Sequence, residues 1–138
     1  MQIRELDLKE LETVYEVLSQ LRIDLSYKEF EDLVYDMRHI EYKMIGVMDG
    51  EKLVTYAGVS IGTNFSHKRH LFVHDFVTDK QHRAKGYGKM MLDYLKDYAK
   101  VGMCENIVLS SGYAREDAHR FYEADDFKKT SHLFVKAI

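Results

Sequence analysis

Only one cysteine, Cys104, stands in the 138-residue chain, so no internal disulfide can form. That usage suits a reducing compartment, and a cytoplasmic protein that folds by packing alone is expected. Long apolar runs are missing as well. No segment approaches the ~18 consecutive apolar residues of a membrane span, and the N-terminal MQIRELDLKE lacks a charged-then-apolar signal layout. No membrane partner is therefore expected. Net charge is small, with 20 Lys and Arg against 23 Asp and Glu, for -3 at pH 7. Such a balance gives no general pull toward nucleic acid or anionic lipid, and no nucleic-acid partner is expected. Internal repeats and low-complexity segments are absent too.

What is present is globular composition: 46% hydrophobic and 31% charged residues, with ten Tyr and seven Phe. The length suits one domain, residues 1–138, large enough to bury a core and short for two.

Local signals then order the chain. Asp7 followed by Glu10 is a capping-box pair, and Leu8, Leu11, Val14, Tyr15, Leu18 and Leu21 recur at three- and four-residue steps, predicting a helix to about Arg22. Ser26 with Glu29 repeats the signal ahead of a second helix with Phe30, Leu33, Val34 and Met37 on its apolar face. Asp49-Gly50 reads as a hairpin turn between strands Tyr42–Met48 and Lys52–Ile61. Gly62 to Arg69 is polar and turn-like, and Leu71 to Val77 supplies a third strand. A helix with Met90, Met91, Leu92, Leu95, Tyr98 and Ala99 inward should end at Gly102 as its C-cap glycine. A short strand Asn106–Leu109, a helix from Arg115 to about Ala124, and a final strand or bent pair over Phe127–Ala137 complete the pattern. The order βααβββαβαβ argues for an α/β fold on one mixed central sheet, with an antiparallel N-terminal meander and flanking helices.

Between the third strand and its helix lies an elbow with Arg83, Gly86 and Gly88 in RxxGxG spacing. Glycines there let backbone N–H groups face a ligand, and the helix dipole adds positive potential, an arrangement suited to a pyrophosphate. Lys85 and Lys89 add charge at the rim. A strand-to-helix turn that merely needs glycine is equally consistent with this spacing alone. The dinucleotide fingerprint is excluded because Met91 stands where its third glycine belongs, and the P-loop because Met90 stands where it needs Ser or Thr. No metal-ligand set is read from the sequence. Cys104, between Met103 and Glu105 with no local positive group, reads as a small buried residue and not an acyl-carrying nucleophile.

The run DFVTDKQHRAKGYGKMMLDYL followed by AHRFYEADDF resembles the acetyl-CoA core of the GNAT superfamily of N-acetyltransferases, over roughly His70 to Ile138. The resemblance implies a GNAT-like single domain that uses acetyl-CoA as cosubstrate and acetylates a primary amine of a small molecule or peptide. It implies that backbone amides of the strand, at Phe76, Val77 and Thr78, serve the pantetheine arm and the thioester carbonyl. Amides across Arg83, Ala84, Lys85, Gly86, Tyr87, Gly88 and Lys89 would hold the pyrophosphate. Tyr122 falls where many members carry the tyrosine that protonates the departing thiolate. Arg115, Ala118 and His119 fall on the same helix toward the cofactor, with Arg115 where many members have Asn.

A general base is also required, and His74 and Asp75 are both candidates. Neighbours on a regular strand point to opposite faces, so only one can serve unless a bulge re-aims the other. A DxVT run like that of Asp75, Val77 and Thr78 ranks Asp75 slightly first, whereas strand parity with Phe76 and Thr78 favours His74. Asp126 replaces the usual glycine of a GF pair and should tolerate the left-handed turn. By the same resemblance the acceptor pocket involves roughly 23–42 and 62–70, with Tyr27, Tyr35, Arg38, His39, His67 and Arg69, which point to no single substrate. Members often dimerise, so a homodimer is possible by analogy alone, and the sequence leaves the oligomeric state open. The alternatives are a non-catalytic acyl-CoA-binding regulatory module and a structural domain whose elbow binds nothing.

Overall fold

Strand β1 (Gln2–Leu6) opens the chain and pairs antiparallel with β2 (Lys43–Asp49). β2 pairs with β3 (Lys52–Asn64), and β3 with β4 (Lys68–Thr78), both antiparallel. With β5 (Asn106–Leu109) the five-stranded mixed sheet has the order β1-β2-β3-β4-β5. Helices α1 (Leu11–Leu18) and α2 (Tyr27–Met37) precede the meander, α3 (Tyr87–Val101) links β4 to β5, and α4 (Glu116–Ala124) follows. The computed structural model describes all residues from Met1 to Ile138, in two units, Met1–Val108 and Leu109–Ile138. No helix is long and apolar enough to cross a membrane.

In the first unit both sheet faces are covered. Leu11, Val14, Val17 and Leu18 of α1 and Phe30 and Val34 of α2 form one core cluster with Met44, Met48, Leu53, Tyr56 and Val77 of the sheet. Both capping boxes form as their sequences indicate, since Asp7 and Ser26 each accept from a first-turn amide while Glu10 and Glu29 reach back. The Asp7 cap begins a 3-10 turn, Leu8–Glu10, before α1 itself. That tighter winding rotates Leu8 off the buried face, leaving it 45% exposed, and Leu33 and Met90 also lie outside their expected stripes. α1 ends at Leu18, a turn short of Arg22.

The hairpins are longer than their propensities suggest. Gly50 takes φ +61 in the two-residue β2–β3 turn, while the polar stretch 62–69 mostly continues the β3–β4 ladder to Asn64 and Lys68. Gly102 is the C-cap of α3 but has φ -77, and the left-handed residue is Met103 at φ +60. A Cβ at Gly102 would lie 2.7 Å from Ile61 Cδ1, the tip of a side chain that would have to shift.

In the second unit α4 ends with Asp126 at φ +68, as the Asp-for-Gly substitution requires, and Phe127 N donates to Tyr122 O at 3.1 Å. The expected final strand over Phe127–Ala137 is not formed: residues 127–138 carry no helix or strand, and Leu133, Phe134 and Val135 are exposed. Alternating apolar residues give β propensity, but a strand exists only where a neighbour completes its ladder.

Gly58 marks the tightest point of the sheet, since a Cβ there would fall 1.6 Å from the Tyr42 hydroxyl. Gly58→Ala should therefore expel that phenol and lower stability by about 3 kcal/mol, from overpacking plus lost buried hydrogen bonds. Urea denaturation measures it, and a change under 0.5 kcal/mol would show that the site yields more easily than its geometry indicates.

Candidate active site

A β-bulge sets the geometry of β4. Gly58 pairs with Asp75 but Val59 with Val73, so His74 is the extra residue. The bulge cancels the alternation that would otherwise separate His74 from Asp75. Both now reach Tyr42: Asp75 Oδ2 accepts from its hydroxyl at 2.7 Å, and the His74 ring lies 5.4 Å from its ring, centroid to centroid.

Asp75 is held on both oxygens. Arg22 donates through Nε to Oδ1 at 3.0 Å and forms a salt bridge through Nη2 at 2.9 Å, while the same Nη2 donates to the His74 carbonyl. Burial pushes the Tyr42 and Tyr56 phenols well above their ordinary range, so both stay protonated. Tyr42 gives its proton to Asp75, and Tyr56 therefore donates to Tyr42, at 2.8 Å. His74 differs. Its Nε2 meets Ser60 Oγ at 2.7 Å, its ring packs 4.7 Å from Phe72, and burial lowers its pKa below the ordinary 6.5 against a weaker upward pull from Asp75. His74 is thus neutral at pH 7 and able to accept a proton.

Beyond the bulge, Val77 turns its side chain into the helix core and offers a ligand only backbone. Thr78 is tied to Thr55, hydroxyl to hydroxyl, at 2.9 Å. β5 begins beside Arg69, where Glu105 N donates to Arg69 O at 2.7 Å, and its four residues cannot span eleven-residue β4.

The elbow follows directly. A 3-10 turn, Lys80–His82, leads through Arg83 to Ala84 at φ +61 and Gly86 at φ +85, and Gly86 is the N-cap of α3 with no side chain capping the helix. Left-handed residues on either side of Lys85, ahead of a helix start with no side-chain cap, leave backbone N–H groups that could hold an anion. Tyr87, Gly88 and Lys89 form the first turn of α3, with Lys89 paired to Asp93 at 2.6 Å. Arg83 folds back, donating to Thr78 O at 3.3 Å.

Asp79, which sequence reasoning passed over, anchors this turn. It is buried, accepts from Gln20 Nε2 at 2.7 Å and from His82 Nδ1 at 2.6 Å, and its own N–H donates to Val54 O. Gln20 also accepts from Lys80 N at 2.8 Å, which fastens the elbow to the end of α1. Nothing local in the sequence joins Gln20 to Asp79; only the fold does.

In the second unit, α4 carries Arg115 at its N-cap, then Ala118, His119 and Tyr122. Burial raises the Tyr122 pKa, with the charge of Arg115 and a hydrogen bond from it pulling the other way. The Tyr122 ring packs between Phe121 and Phe127, 5.6 and 5.7 Å away. His119 Nε2 donates to Gly112 O at 2.8 Å and closes the turn before the helix.

Among the residues expected around an acceptor, Tyr27 packs against Tyr15 and Phe30, Arg38 stacks on Tyr35, and Arg69 Nε donates to Gly102 O. His39 instead lines a cavity of about 530 Å³ with Ser60, His70, Phe72 and His74. His67 packs against His70 at 5.8 Å. Cys104 is half-buried, and Arg69 acts on it although no cation is near in sequence; burial outweighs that charge and raises the thiol pKa. No group of three His, Cys, Asp or Glu side chains that could hold a metal ion is present.

The hydrogen bond from Gln20, with that from His82, holds the Asp79 carboxyl below its ordinary pKa of 3.8. A depressed folded-state pKa contributes stability above the ordinary value that disappears as pH falls through the folded one. Asp79→Asn should thus cost about 1–2 kcal/mol at pH 7, with the deficit narrowing below about pH 4. Thermal melts between pH 3 and 7 measure this, and a deficit independent of pH would show that ionisation plays no part.

Comparison with known proteins places this fold in a family. The family described as Acetyltransferase (GNAT) matches residues 5–127. The chain is 32% identical over 126 residues to a Bacillus subtilis (strain 168) protein named uncharacterized N-acetyltransferase YhdJ, covering 90% of this chain and 89% of that one. The aminoglycoside N-acetyltransferase AAC(6')-Iy in complex with CoA shares the fold at TM-score 0.84 and 14% identity, over 99% of this chain and 93% of its own. A transcriptional regulator from Bacillus halodurans C-125 does so at TM-score 0.83 and 24% identity, over 99% and 98%. With its bulged β4, glycine elbow and α4 helix matched over most of its length, the chain belongs to the GNAT family of acetyltransferases.

Proposed function

We propose that residues 1–138 act as one domain that transfers the acetyl group of acetyl-CoA to a primary amine by direct attack in a ternary complex, with no acyl-enzyme. The observation that carries this reading is the succession of bulge, left-handed elbow and helix start without a side-chain cap along 73–89. CoA bound to the aminoglycoside acetyltransferase of the same fold supports the donor. In this reading the elbow amides from Arg83 to Lys89 hold the pyrophosphate. The β4 backbone at Phe76 and Thr78 receives the pantetheine arm and polarises the thioester carbonyl, an oxyanion-type role.

The amine arrives mainly as ammonium and must lose a proton before its nitrogen attacks the carbonyl carbon. His74 is the better base. Its neutral imidazole can take that proton, whereas Asp75 already accepts from Arg22 and Tyr42 and is better suited to holding the bulge. As the carbon–sulfur bond breaks, Tyr122, kept protonated by burial, gives its proton to the thiolate. The raised pKa of Cys104 speaks against a cysteine nucleophile.

Acetyl-CoA at a hundredfold excess over its Kd should stabilise the protein by about 2.7 kcal/mol, seen as a higher melting temperature. Absence of any shift would remove the donor assignment, and a shift without thiol release for any amine would leave a binding module. Tyr122→Phe should keep the shift and lose turnover. His74→Ala should lower kcat/KM by about 100-fold and abolish an acidic limb that the wild type shows below pH 6.5. A limb that survives the substitution would exclude His74 as the base.

A further inference from the structure

We propose that the cavity beside the β3–β4 hairpin admits a small primary amine carried on an aromatic or apolar body, and excludes amines that also bear a carboxylate or phosphate. That this amine is the acetyl acceptor rests on the transferase reading above, and the selectivity rests on the cavity. At about 530 Å³ the cavity falls in the ordinary range of small-molecule sites. Ile40, Ile61 and Phe72 give it apolar wall, and His74 stands at one side next to the bulge. The cavity and the candidate base therefore share a residue.

Charge sets the selectivity. Glu41 is the one carboxylate on the lining, and no Lys or Arg lines it. The arginines of the surrounding elements are committed elsewhere. Arg38 lies 4.6 Å over the Tyr35 ring and donates to the Tyr35 carbonyl, Arg69 donates to Gly102 O, and Arg22 holds Asp75. His70 spends its Nδ1 proton on Lys68 O at 2.8 Å, and burial keeps His74 neutral. A carboxylate or phosphate entering here would lose water without meeting the lysine or arginine that normally replaces it. An ammonium group finds Glu41. That residue sits at φ +55, a left-handed conformation uncommon outside glycine, at the end of the 3-10 turn Arg38–Ile40.

The test uses three probes: 2-phenylethylamine, phenylalanine, which adds a carboxylate, and glucosamine 6-phosphate. Binding to the protein without cosubstrate is read by calorimetry and by the imidazole signals of His70 and His74, and acetylation is read separately as thiol release from acetyl-CoA. 2-Phenylethylamine should bind at least tenfold more tightly than either anionic probe and shift both imidazoles. Glu41→Gln should weaken it about fivefold, the upper range for a partly exposed ion pair. Gly62→Leu should abolish it by filling the cavity, since a Cβ at Gly62 meets the His70 ring at an ordinary 3.5 Å and is sterically accepted. Both variants should keep the melting-temperature shift with acetyl-CoA. Equal or tighter binding of an anionic probe, or amine binding that survives Gly62→Leu, overturns the proposal. Amine binding lost in Gly62→Leu without any acetyl-CoA shift upholds the selectivity and removes the transferase reading. An acetyl-CoA shift with no amine binding does the reverse.

Discussion

The Asp75 carboxylate, gripped by Arg22 on one oxygen and Tyr42 on the other, is the interaction on which the rest of the first unit's site depends. It ties the segment after α1 to β4 at the residue where the ladder with β3 shifts. A bulge exposes backbone and would be expected to loosen a sheet; here the extra residue is pinned from both sides. Tyr42 fits only because Gly58 has no side chain, and Tyr56 completes the chain of phenols by donating to Tyr42. Because the Arg22 side chain is half exposed, this ion pair adds little net stability. Its consequence is geometric: the strand is bent in one defined way.

Two further anchors repeat the principle along the same strand. Asp79 joins Gln20, His82 and the Val54 carbonyl, so the elbow is fastened to α1 on one side and to β3 on the other. Ser60 and Phe72 fix the His74 ring at the opposite end of the bulge. Between them lies the β4 backbone from Asp75 to Thr78. Polar side chains thus set the shape of the strand, while its apolar residues, Leu71, Val73 and Val77, merely keep it buried. Preorganisation of that sort lets amide dipoles act without reorganising during the reaction.

Burial and charge also divide roles among similar groups. Two adjacent titratable residues stand at the bulge, yet one is an ion-paired carboxylate and the other an imidazole kept neutral by desolvation. The same reasoning separates Tyr122, a buried phenol with an arginine beside it, from Tyr42, whose proton is already spent on Asp75. Residue type alone would not distinguish them.

Much of the fold was legible in the chain itself. Caps at Asp7 and Ser26, the Asp49-Gly50 turn, strand Asn106–Leu109 and the glycine elbow are local signals, governed by backbone geometry over a few residues, and each stands where its sequence indicates. The order of glycines, helix and FYE run was enough to place the chain in its family, because those residues form short motifs that lie close together in sequence. What the tertiary structure decided were matters of pairing and register. It decided that Asp75 would be neutralised by Arg22, 53 residues away, that Gln20 would reach Asp79 across 59, and that His74 would be the bulged residue. It also decided that 127–138 would form no strand despite their alternation, and that Met103, not Gly102, would take the left-handed turn. These outcomes depend on which distant group arrives as a partner, and a one-dimensional pattern carries the demand for a partner without its identity.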